Sequence, residues 1–231
     1  MNISSPVTKR ETLLHRRRGT SSYRSALRSA LVLATLILCV EVTWPFEAAA
    51  FNQEGGLIET ISAVGLFAAG LVALVRYPGV NRMYVGLVCL LLAERELEAS
   101  IYVDGNAPFA LLAGLDSLLD LTIVQVLLLV LVVGGVIWHG IPRGWRALRL
   151  RAPFLMVFMV AGAIAVIAQV LEEVAGLYSA ELSEVMAMRA FVLEETFEMF
   201  FSIGVLSSVL IGWPNPEIKG IVHTQDRVPS G

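Results

Sequence analysis

The chain has 231 residues, 56% of them apolar and 16% charged, with a formal net charge of -3 and a mean hydropathy of +0.73. Apolar runs of about 18 residues or more recur along it, the pattern of helices that cross a bilayer. Spans and short connectors take up nearly the whole length. This excludes a soluble catalytic or nucleotide-binding domain, so any chemistry belongs within or beside the helices.

The expected fold is an all-α, multi-pass membrane helix bundle in the lipid bilayer, with six predicted transmembrane helices. Residues 1–25 carry Lys9, Arg10, Arg16, Arg17, Arg18 and Arg24 among Ser and Thr. They read as a flexible basic cytoplasmic tail, with no folded reader for nucleic acid. Residues 26–213 form the six-helix domain, and 214–231 a polar cytoplasmic tail. The first span covers 26–44 and stops at Pro45. Ala48-x-Ala50 resembles a signal-peptidase site, but the long tail before it and the length of the apolar run favour an uncleaved span.

The second span, 57–75, has Glu59 in its first turn and a small-residue face at Gly65 and Ala69. The third, 83–102, begins apolar and ends in Glu94-Arg95-Glu96-Leu97-Glu98. The fourth, 115–138, carries Asp116 and Asp120 four apart. A basic loop with Arg143, Arg146, Arg149 and Arg151 follows, and its tryptophans suit an interface. The fifth span, 154–177, has Ala161, Ala165 and Ala168 on a small face and ends near Glu172 and Glu173. The sixth, 188–213, holds Glu194, Glu195 and Glu198, with Gly204, Ser208 and Gly212 as a second close-packing stripe. Cys39 and Cys89 have no metal or disulfide spacing and read as buried core residues.

Alternating the spans from a cytoplasmic N-terminus places 15 of the 17 Lys and Arg inside, all but Arg95 and Arg189. The positive-inside rule therefore predicts an N-in, C-in topology. The same topology leaves 17 of the 20 Asp and Glu in the membrane or outside. Glu94 and Glu198 are then expected near the middles of the third and sixth helices.

A carboxylate at bilayer depth is costly and must face protein, water or a cation. Glu94 and Glu98 (i, i+4) and Glu195 and Glu198 (i, i+3) each share a helical face, so four carboxylates could converge. Glu59, Asp116, Asp120, Glu172, Glu173 and Glu194 form a secondary rim, and Arg95 is the expected charge partner. All-carboxylate ligation favours hard divalent cations such as calcium, magnesium or manganese. His15, His139 and His223 all fall on the opposite side, which disfavours zinc chemistry. No nucleophile elbow or Ser–His pairing is present, so no catalytic residue is assigned and the reading leans away from an enzyme.

The segments Glu54-Gly-Gly-Leu-Ile-Glu59, Leu92-Ala-Glu94-Arg95-Glu96 and Glu194-Glu195 resemble a pattern in uncharacterised small bacterial polytopic membrane proteins. The resemblance implies a multi-pass inner-membrane location and no established activity. Arg95-Glu96-Leu97-Glu98 and Glu195-Thr196-Phe197-Glu198 are also similar to the Arg-Glu-x-x-Glu motifs of iron permeases, though the first site has its acids two apart and the second lacks the arginine. Two functions stay open. One is an outward-facing carboxylate site for cation or metal binding or proton relay, in a transporter or sensor. The other is a structural or assembly module that binds another membrane protein, or a second copy, through its small-residue faces.

Overall fold

The structure, a computed structural model, describes residues 28–52, 56–97 and 107–212, and among these it is all-helical. Helix α1 covers residues 28–43. It is followed by α2 (Pro45–Ala49), α3 (Leu57–Arg76), α4 (Val80–Arg95), α5 (Ala107–Leu119) and α6 (Thr122–Gly135). A π-helical segment (Val136–Gly140), α7 (Ile141–Arg149), α8 (Pro153–Leu177) and α9 (Glu184–Ile211) complete the described residues. Among the described residues, three helical stretches are long and apolar enough to cross a membrane: Leu57–Arg76, Thr122–Arg149 and Pro153–Leu177. Among the described residues α9 is the longest α-helix, at 28 residues, but its apolar run is interrupted by Glu194, Glu195 and Glu198.

Local chemistry sets the ends. Pro153 opens α8, where its missing N–H costs nothing. The Ser183 hydroxyl caps α9 by accepting from the Met186 N–H. Gly79, at φ 124°, makes the tight reversal between α3 and α4.

The core is built on α9, which packs against α8 on one side and α3 on the other, while α4 packs on α3. Leu66, Ala69 and Ala73 of α3 meet Cys89 and Ala93 of α4 and Val205 and Val209 of α9. The crossings are close because the residues are small. A Cβ on Gly86 would lie 3.2 Å from the Gly70 carbonyl oxygen, and one on Gly204 would lie 2.6 Å from the Ala161 Cβ. The two small faces expected on the fifth and sixth spans thus meet each other. Ser208 adds a bond from its hydroxyl to the Phe154 carbonyl, 2.9 Å.

Three expectations are corrected. The stretch 115–138 is not one helix: the chain breaks at Asp120 and Leu121, where Leu121 turns extended before α6. Leucines flank Asp120 on both sides, so the average hydropathy of the stretch does not mark the break. The basic loop is the helix α7, continuous with α6 through the π segment, where the Ile141 N–H bonds back to the Val136 carbonyl. That wider turn lets Pro142 follow without ending the helix. Cys89 is buried, but Cys39 is exposed, because α1 has no buried residue between positions 28 and 40.

Candidate functional site: a carboxylate cluster at one end of the bundle

The inner face of α9 runs Val192, Thr196, Met199, Ser202, Val205, Ser208 and Val209, all buried at helical spacing. Its register against α3 is set by the Ser202 and Ser62 hydroxyls, 2.6 Å apart, with Ser202 also donating to the Glu198 carbonyl at 3.0 Å. At the other end Arg76 donates to the Leu210 carbonyl and the Tyr77 hydroxyl to the Val209 carbonyl, 3.1 Å. The two helices therefore run parallel, and α9 overshoots the start of α3. In consequence the middle of α9 lies level with the first turn of α3 and the last turn of α4. Glu94 sits in that last turn, since α4 ends at Arg95, and not in mid-helix as its place in the apolar run suggests.

At this level the acids gather. The Arg95 guanidinium lies 3.7 Å from the Glu198 carboxylate. Glu96 stands within hydrogen-bonding reach of Ser62 and in the field of Glu198 and Glu59. Glu195 feels Glu198, Glu194, Glu96 and Glu59 together, and Glu194 faces Glu172. The Gln169 amide donates to Glu172. Four elements, α3, the end of α4, α8 and α9, thus bring Glu59, Glu96, Glu172, Glu194, Glu195 and Glu198 into one group, with Arg95 beside Glu198 and Glu96.

Glu94 belongs to a separate group. Its carboxyl is within hydrogen-bonding reach of Asp116 and close to Asp120, so its partners come from α5 and the turn after it. Two carboxyl groups at that spacing are compatible only with a proton or cation between them. Glu173 is exposed on α8. Glu98 lies outside the described residues. Among the described residues no three His, Cys, Asp or Glu side chains are placed to hold one metal ion.

No protein-family model, curated protein or solved structure matches this chain. The site therefore rests on its geometry.

Two residues matter that the sequence reading passed over. Glu96, in sequence only a member of the Glu94-Arg95-Glu96 run, is the α4-end acid that interacts with Glu198 of α9. Glu41 is the deeper surprise. It is only 5% exposed, it accepts a hydrogen bond from the fully buried Thr196 hydroxyl, and its second oxygen has no partner among the described residues. The available signal was an acid within the last turn of an otherwise apolar first span. Arg189, one turn and more towards the α9 N-terminus, donates to the Val42 carbonyl at 2.9 Å and so ties the end of α1 to α9.

Proposed function

We propose that this is a six-span protein of a bacterial inner membrane, N-in and C-in, whose outer end carries a carboxylate vestibule that binds hard cations or relays protons, as part of a transporter or sensor. The observation that carries this reading is the gathering of Glu59, Glu96, Glu172, Glu194, Glu195 and Glu198, with Arg95 the one cation seen beside them among the described residues, against Glu198 and Glu96. One guanidinium leaves such a group strongly negative, and a negative cleft between low-dielectric walls concentrates cations.

An arginine-rich end on the inner side, as the positive-inside rule expects, together with the register of α9 against α3 and α4, supports a vestibule at the outer mouth. Hydration and mobile counter-ions then meet most of the cost that mid-membrane carboxylates would carry. Oxygen-only ligands suit calcium, magnesium or manganese. Glu94, Asp116 and Asp120 would form a neighbouring acidic group on the α4–α5 side.

The test is cation binding and flux by the full chain in proteoliposomes, with Glu96, Glu195 and Glu198 all replaced by Gln. Loss of calcium, magnesium or manganese binding, or of proton flux, is expected in the triple variant. Unchanged binding and flux would sink the reading. A second reading, a module that assembles with another membrane protein, is favoured by the Arg95–Glu198 pair and the Ser62–Ser202 bond, which tie acids and hydroxyls into internal contacts. It predicts that the triple variant lowers folded yield or partner recovery with no ion dependence.

A further inference from the structure

The opposite end of the bundle is as strongly basic as the vestibule is acidic. Arg76 ends α3, Arg82 lies in the first turn of α4, and Arg143, Arg146 and Arg149 lie on α7, with Arg151 just beyond it. Among the described residues none of these six pairs with a carboxylate, the ion pair there being Arg95 with Glu198. Charges of one sign gathered without carboxylates among the described residues to neutralise them attract an external anion.

The geometry around Tyr84 narrows the partner down. The ring packs against the α6 end and the π segment, because Gly135 and Gly140 leave it room: a Cβ on Gly135 would lie 2.6 Å from the Tyr84 Cβ, and one on Gly140 would lie 3.1 Å from the Tyr84 hydroxyl oxygen. Arg82 and Arg143 both act on that hydroxyl. Arg143 is anchored by donating to the Asn81 carbonyl at 3.0 Å, and Arg82 lies over the Tyr77 ring at 5.9 Å. Two guanidinium groups and a phenol hydroxyl thus present several fixed donors, which suits the oxygens of a phosphate. A π segment inside a helix commonly marks a site of this kind.

The surroundings are those of a membrane surface. Trp138 is 78% exposed and Trp145 59%, beside exposed Ile141 and Leu150, and Arg149 lies over the Trp145 ring at 5.5 Å. Aromatic and aliphatic groups interleaved with arginines on one short helix fit the level where headgroups meet acyl chains.

We propose that Arg82, Tyr84 and Arg143, at the junction of α4, the π segment and α7, bind the phosphate of an anionic phospholipid headgroup. The lipid holds α7 at the membrane surface and closes the α4–α7 junction. The source is a lipid and not free phosphate, because Trp138, Trp145, Ile141 and Leu150 need apolar cover that only acyl chains supply.

The test takes the full chain in detergent and titrates it with phosphatidylglycerol, phosphatidylcholine or inorganic phosphate. Bound lipid is counted by native mass spectrometry and the melting temperature is followed in parallel. Phosphatidylglycerol is expected to bind in preference to phosphatidylcholine and to raise the melting temperature, with inorganic phosphate inert. R82Q should weaken the preference about fivefold, the factor one arginine contributes at an anionic surface, and R82Q/R143Q should abolish it. Arg143 also holds a backbone carbonyl, so R82Q and Y84F carry the test should the double variant fold poorly. Equal binding of the two lipids, an unchanged preference in both R82Q and Y84F, or full replacement of the lipid by inorganic phosphate overturns the proposal.

Discussion

Glu41 shows what a single buried side chain can demand. Its carboxyl accepts from Thr196, and its other oxygen is sealed from water without a donor among the described residues. Glu41→Gln keeps the acceptor for Thr196 and replaces the orphaned oxygen with a donor, so it is expected to hold or raise the melting temperature of the detergent-solubilised protein. Glu41→Ala leaves the Thr196 hydroxyl unpaired and opens a cavity, and should lose about 1–3 kcal/mol. A Gln variant less stable than the Ala variant would contradict this account. The glycines divide in the same residue-by-residue way. Gly86→Ala must push a Cβ against the Gly70 carbonyl and the Leu74 side chain, and should cost about 1–3 kcal/mol in thermal or denaturant unfolding. Gly114 has nothing within 4 Å of the corresponding position, so Gly114→Ala should be neutral or stabilise by up to about 1 kcal/mol. Arg151 sits at φ 50°, where Arg151→Gly should relieve about 1 kcal/mol of backbone strain in the turn before α8.

At the scale of elements, the decisive fact is the length of α9 against its neighbours. Its 28 residues outrun the 20 of α3, and the overhang is covered by the segment from Glu41 to Asn52, in which Glu41, Pro45, Ala48 and Asn52 are buried. Ala48 and Ala50 had the spacing of a signal-peptidase site, but Ala48 is buried and α2 is helical there. A peptidase needs the strand exposed and extended. Mass spectrometry of the protein purified from membranes should therefore find the chain uncut after Ala50, and a fragment beginning at Phe51 would remove α1 and α2 from the folded protein. The α6 helix is the converse case. None of its residues is buried, and its apolar side chains suit acyl chains on most of its circumference.

Across the whole molecule the charges separate to opposite ends, acids where α3 begins and α4 ends, arginines where α3 ends and α4 begins. Arg95 and Arg189 are the exceptions: Arg95 stands among the acids beside Glu198, and Arg189, near the start of α9, donates to the Val42 carbonyl. Arg95→Gln leaves the cluster without its cation, so it should lower the melting temperature most at low ionic strength, where repulsion is least screened. Millimolar calcium or magnesium should restore it if the vestibule binds hard cations. A loss of stability indifferent to both salt and divalent cations would assign Arg95 a packing role alone.

Much of this was legible in the chain itself. Periodic apolar runs identified a helical protein suited to a bilayer, because a long uncharged stretch has few other stable environments, and Pro153, Ser183 and the small-residue stripes marked helix starts and close crossings through local chemistry. Arg95 was recognised as a charge partner for the same reason, as a cation set among acids. What hydropathy could not register was relative height. Apolar runs put Glu94 and Glu198 each near the middle of its own helix. Glu198 does lie at the middle of α9, while Glu94 falls in the last turn of α4. The height of one against the other depends on how far α9 slides past α3 and α4, which the Ser62–Ser202 contact and the packing of small residues decide. The same blindness hid Glu41, whose burial comes from Thr196 on a helix 155 positions away, and it separated Glu94 from the α9 acids. Residue type and spacing determine which helices form and which faces they offer, while the partners of each carboxylate follow from helix register, a property that exists only once the helices are packed together.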